Sequence, residues 1–127
     1  MKIEELFPGA VFQIEGQIRT ANIVSKYGSV LYDVGIIERN DSIADCSGVP
    51  ITPEILMRLE GENFSISDTH GQKDSFLIVA GDFDVYIKWV GDDIYYGSHY
   101  PPQIKYLHEL QTRVRLDSGI VLNLKPE

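Results

Sequence analysis

The chain has 127 residues, with 19 acidic against 11 basic side chains, a formal net charge of −8, 43% hydrophobic residues and 24% charged ones. That length can bury one core and is too short for a multidomain enzyme, and the apolar content is that of a folded rather than a disordered protein. The negative balance opposes direct nucleic-acid binding, because affinity for phosphate backbones comes mainly from Lys and Arg displacing counterions.

No apolar run reaches the length of a bilayer span, and "MKIEELF" lacks the basic start and apolar centre of a signal peptide. A cytoplasmic chain without membrane contact is therefore expected. Cys46 is the single cysteine. It cannot form an internal disulfide or a paired-cysteine zinc site, and it reads as a small thiol among polar neighbours.

In chain order, "FPGAVFQIEGQIRTANIVSKYGSVLYDVGII" reads as short strands punctuated by Gly16, Gly28 and Gly35. Val11, Phe12 and Ile14 belong to the first, Ile18 to Val24 form the second and Val30 to Ile37 the third. Hairpins this short curl into a small SH3-like barrel or a curled sheet. "RNDSIADCSGVP" reads as a loop. A helix is predicted from Pro53 to Glu60: Thr52 caps it, Pro53 takes the first position, Glu54 meets the positive end of the dipole and Gly61 supplies a left-handed stop.

Downstream, "NFSIS", "SFLIVA", "DVYIKWV" and "DIYYG" are separated by turn clusters, the pattern of an antiparallel meander. Val85, Ile87 and Trp89 alternate with Tyr86, Lys88 and Val90, as in a strand with one covered face. The cover is a longer C-terminal helix read from "YPPQIKYLHELQTRVRLDSG", which opens with prolines and has Ile104, Leu107, Leu110, Gln111 and Val114 on one stripe. Glu109 and Arg113 are four residues apart on its outer side. Gly119 ends it, and "IVLNL" returns as a last strand. The fold class is α+β, with an N-terminal β region over residues 1–48 and the helix, meander and C-terminal helix over 49–127, expected to form one compact unit.

Candidate chemistry is sparse. His108 borders the apolar stripe, where packing explains it better than catalysis, and no nucleophile in an elbow setting accompanies it. Asp68, His70 and Asp74 could be pictured as metal ligands, and Asp92 and Asp93 as a magnesium pair, but both groups sit in stretches that turn chemistry explains. No cofactor motif is present. The concentration above expectation is "DIYYGSHYPP": Tyr95, Tyr96, His99 and Tyr100 gather there, with Tyr86 and Trp89 on a neighbouring strand. Aromatics with a polar tip give large contact area at small entropic cost. With His108, and with Arg113 and Arg115 as charges for an anionic ligand, these residues form the candidate contact surface.

The segments "PITPEIL", Pro50 to Leu56, and "IKYLHELQ", Ile104 to Gln111, together resemble a set of small uncharacterised proteins of Bacteroidetes genomes, phages and mobile elements. Those chains pair a short β region with a "PLTEEIL"-like helix, a meander and an "IKYVHQLQNLYFALTGEEL"-like segment. Here "TRVRLDSGIVL" departs from the aromatic continuation. The resemblance implies no catalytic residue, and it places His108 and Gln111 at recurring positions. It implies a phage or mobile-element context in which a small acidic protein binds a host component.

The expectation is a non-enzymatic binding module, possible as a homo-oligomer, that sequesters a host protein or a small anionic nucleotide-like immune signal in counter-defence. Two rivals stand beside it. One is a metal-dependent phosphoester or nucleotide hydrolase built on Asp68, His70, Asp92 and Asp93. The other is an acidic nucleic-acid mimic, which needs its carboxylates on one continuous face.

Overall fold

In the computed structural model, which describes residues 6–69, 72–97 and 103–125, two-residue turns set the register of most hairpins. Ile14 pairs with Gln17 across Glu15 and Gly16, both at positive φ (52° and 75°), the signature of a turn whose twist matches that of the strands. Gly35–Ile36, Gly81–Asp82 and Gly91–Asp92 each place a positive-φ glycine first, the other hairpin solution. The chain divides into two compact units, Met1–Pro50 with Tyr106–His108, and Ile51–Lys105 with Glu109–Glu127.

The first unit is an antiparallel meander of β1 (Val11–Ile14), β2 (Gln17–Val24), β3 (Ser29–Val34) and β4 (Ile37–Ser42) in sequence order. The predicted strand Val30 to Ile37 is thus two strands, because Gly35 reverses the chain between them. The predicted loop from Arg39 begins as the second half of that hairpin. β4 escapes detection because nearly all of it is exposed: an edge strand carries charge to discourage further pairing. A 3₁₀ turn, Ile43–Asp45, follows, with Ser42 Oγ accepting from Ala44 N–H at 3.2 Å.

Ser47 then bridges to Gln13 beside β1. β1 and β4 do not pair, so among the described residues the sheet is not closed into a barrel. The core holds Phe12, Val30, Tyr32, Ile43 and Cys46, with Phe12 and Tyr32 edge to face at 5.4 Å. Cys46 is 4% exposed and lies in this apolar cluster, not among polar neighbours. Burial raises the pKa of its thiol, with help from the Asp41 carboxylate.

The second unit opens with α1 (Pro53–Leu56), a single turn capped by Thr52, whose Oγ1 accepts from Ile55 N–H at 3.2 Å. The predicted helix to Glu60 stops here, because Leu59–Glu60 (β5) pairs instead with Asn123–Leu124 (β11). Gly61 is not left-handed; a Cβ there would meet Val121 O at 3.0 Å, so close backbone approach is what requires glycine. The meander follows as predicted: β6 (Phe64–Thr69), β7 (Gln72–Ala80), β8 (Phe83–Val90) and β9 (Asp93–Tyr96). β10 (Gln103–Ile104) completes a five-stranded antiparallel sheet in the order β10-β9-β8-β7-β6.

Ile104 is therefore a strand residue, and the C-terminal helix α2 runs Leu107–Ser118. Glu109 Oε1 accepts from Lys105 N–H at 3.1 Å, serving the start of the helix, while Arg113, expected on the outer side, turns to the Tyr96 ring. Leu107, Leu110 and Val114 are fully buried and Gln111 nearly so, the stripe that periodicity predicts. Gly119, at φ 78°, donates to Arg115 O at 2.8 Å and ends the helix. No helix among the described residues is long and apolar enough to cross a membrane.

Candidate functional site

In a strand successive side chains point to opposite faces, and directly paired residues share one. The register of the five-stranded sheet therefore sorts its residues. One face carries Ile66, Ile78 and Val85; Phe76, Ile87 and Tyr96; and Trp89, Ile94 and Ile104. This is the buried side: Ile78 and Ile87 are fully buried, and Trp89 packs edge to face on Phe76 at 5.8 Å. The other face carries Ser65, Val79 and Asp84; Ser67, Leu77 and Tyr86; Ser75, Lys88 and Tyr95; and Val90 beside Asp93. Tyr86 is 46% exposed and Val90 55%, while Leu77, Val79 and Tyr95 are half-buried.

The aromatic cluster of the sequence is thus split by the pleat. Tyr86 and Tyr95 lie on the open face. Trp89 and Tyr96 lie on the covered one, where α2 meets Tyr96. Tyr96 donates its hydroxyl to Asp117 Oδ2 at 2.8 Å, and the Arg113 guanidinium lies over the Tyr96 ring at 5.6 Å. Burial, reinforced by the Asp117 hydrogen bond and charge, pushes the Tyr96 pKa far above the ordinary tyrosine value. Arg113 thus supports a buried ring, and its Nε is itself buried without a hydrogen-bond partner. Arg115 is exposed on the helix. His99 and Tyr100 lie outside the described residues.

His108 is 3% exposed, with its ring stacked on Tyr106 at 5.8 Å and an interplanar angle of 9°. That is packing geometry. Gln111, at the other recurring position, donates from Nε2 to Leu122 O at 2.9 Å, anchoring the returning chain to the helix.

Among the described residues, the carboxylates pictured as metal ligands do not converge. Asp68 is on β6 and Asp93 on β9, with two strands between them, a lateral separation of about 14 Å at the usual strand spacing. Asp92 is the second residue of the β8–β9 turn, His70 lies outside the described residues, and of the Asp74 side chain nothing is described. No group of three acidic, histidine or cysteine residues among the described ones is arranged to hold a metal ion. A cavity of about 540 Å³ beside β9 is lined by Asp92, Asp93, Glu109, Lys105, Ile94 and Ile104. With three carboxylates against one ammonium, its field repels an anion.

In the first unit, the Tyr32 hydroxyl donates to Asp41 Oδ2, and Arg39 reaches Asp41 at 3.6 Å and Glu15 at 4.0 Å. Burial, then the Asp41 hydrogen bond and charge, raises the Tyr32 pKa.

Reading the sequence for aromatics alone misses Leu77 and Val79, which share the open face with Tyr86, Lys88 and Tyr95. The signal for them is "FLIVA", an unbroken apolar run. A strand with one wet face alternates, and apolar residues at both parities place an apolar side chain on each face. Comparison of the chain with family models, with curated proteins and with solved structures found no match.

Proposed function

We propose that the chain is a non-enzymatic protein-interaction module that binds through the open face of its five-stranded sheet. The observation that carries this reading is the contiguous row of Leu77, Val79, Tyr86, Tyr95 and Val90 on that face. Exposed apolar area with tyrosines at its centre and charge at its edge has the composition of a contact surface. A folded protein surface fits it better than a nucleotide, since the described cavity of the same unit is acidic and the face holds Lys88 between Asp84 and Asp93. The likeness of "PITPEIL" and "IKYLHELQ" to phage and mobile-element chains supplies the proposed setting: a cytoplasmic counter-defence protein that sequesters a host component.

The test compares baits. Wild type, Tyr86→Lys and the off-face control Leu116→Lys are used for capture with cross-linking, and any captured protein is purified and titrated by calorimetry. The reading expects a partner lost with Tyr86→Lys and kept with Leu116→Lys. It also expects no thermal stabilisation by a panel of mono-, di- and cyclic nucleotides, since a ligand at a hundred times its Kd adds about 2.7 kcal/mol. A captured set indifferent to Tyr86→Lys, or a clear nucleotide-induced rise in Tm, overturns it.

A further inference from the structure

From the pattern of charge along β8, we infer that the open sheet face takes a second copy of this chain, stacked face to face about a two-fold axis through the Leu77–Tyr86 pair. The inference rests on the reading of that face as a contact surface and names its occupant.

Asp84, Tyr86 and Lys88 are alternate residues of β8, all exposed on the same face. Among the described residues neither Asp84 nor Lys88 has an ion-pair partner. Stacking two copies with their β8 strands parallel sets Asp84 against Asp84 and Lys88 against Lys88. Stacking them antiparallel about Tyr86 sets each Asp84 against Lys88 of the second copy, twice, and brings Leu77 and Tyr86 onto their own counterparts at the axis. The pattern is self-complementary in that one orientation, which is what an isologous two-fold interface demands. Stacked sheets lie about 10 Å apart, a gap that an extended lysine and an aspartate span together.

The area is sufficient for a weak dimer. Strands β6 to β9, of six, nine, eight and four residues, present roughly 430 Å² at the usual rise and strand spacing, about 850 Å² over both copies, in the range of weak, transient associations. Each copy carries −8, so general repulsion opposes association and makes the local pairing of opposite charges decisive.

The experiment is sedimentation velocity on the purified full chain from about 1 µM to about 200 µM, for wild type, Asp84→Lys, Lys88→Asp and the double exchange Asp84→Lys/Lys88→Asp. Circular dichroism confirms that each variant is folded, and Tyr86→Lys serves as a second disruption at a different position, removing the ring and setting two like charges against each other at the axis. The expected result is a concentration-dependent dimer in wild type, weakened about tenfold or more in each single reversal and restored in the double exchange, which re-creates the same pairs with their signs swapped. Asp84→Lys is the sharper arm, because it lowers the net negative charge and yet weakens association.

A wild-type chain that stays monomeric throughout, or a dimer indifferent to both reversals and to Tyr86→Lys, overturns the inference. The two readings fail separately. A monomer whose Tyr86→Lys bait loses a host partner removes the second copy and keeps the contact surface. A monomer whose bait loses nothing removes both.

Discussion

Replacing Gly48 by alanine tests the packing of the first unit at one methyl group. An ideal Cβ at Gly48 lies 2.4 Å from Tyr106 Cγ, 2.6 Å from Cδ1 and 2.9 Å from Cβ, against an ordinary carbon contact of about 3.5–4.0 Å. The overlap is with the root of the ring, so rotating the ring does not relieve it. Nor can the backbone easily withdraw, since Leu107 N–H donates to Val49 O at 2.8 Å and Pro50 bridges Tyr106. Gly48 is not left-handed, so the cost is steric alone. Overpacking of this kind costs about 1–3 kcal/mol, which at this chain length corresponds to a Tm drop of roughly 3–18 °C. Thermal and urea melts followed by far-UV circular dichroism measure it. In a Tyr106→Ala background, which removes the overlaps with Cγ and Cδ1 and leaves the 2.9 Å approach to Cβ, the same change should cost less, a coupling of about 1 kcal/mol or more. A Gly48→Ala protein melting within about 1 °C of wild type, or an undiminished cost in the Tyr106→Ala background, refutes the packing described.

Tyr32 and Tyr96 both have pKa values raised by burial and by a hydrogen-bonded aspartate. A raised folded value means their contribution is whole below the unfolded tyrosine value of about 10 and is lost as pH climbs above it. Stability from urea melts should fall from about pH 10 upward in wild type and fall less in Tyr96→Phe. At neutral pH Tyr96→Phe should cost about 1 kcal/mol for the bond to Asp117, read as a lower urea midpoint with unchanged slope. Thr52→Ala removes the cap of α1 and should cost about 1 kcal/mol in the same melts. Cys46, 4% exposed and with a raised pKa, should react with a thiol reagent far more slowly in the native protein than in urea; equal rates would place it at the surface.

His108 and Gln111 have mechanical roles in this fold. Gln111 bonds the carbonyl of Leu122, and His108 stacks on Tyr106. The proposed contact surface lies on the sheet instead, where Tyr86 and Tyr95 face outward and Trp89 and Tyr96 do not. That division was half legible, since neighbours in a strand must oppose each other, so Tyr95 and Tyr96 could not share a face. Which of the two faces is covered depends on the helix that meets Tyr96 through Arg113 and Asp117, and no local pattern announces that contact.

By itself the sequence determined the features whose chemistry is complete within a few residues: the glycine-led turns, the Thr52–Pro53 helix start, the alternation of β8 and the buried stripe of α2. Tertiary structure decided what depends on partners far along the chain. It made Leu59–Glu60 a strand by pairing it with Asn123–Leu124, turned Ile104 from helix to sheet by pairing it with Ile94, and sorted the aromatics between faces. The physical reason is one of range. Turn, cap and alternation preferences act between near neighbours, whereas a ladder's hydrogen bonds and a face's burial exist only once distant segments have met.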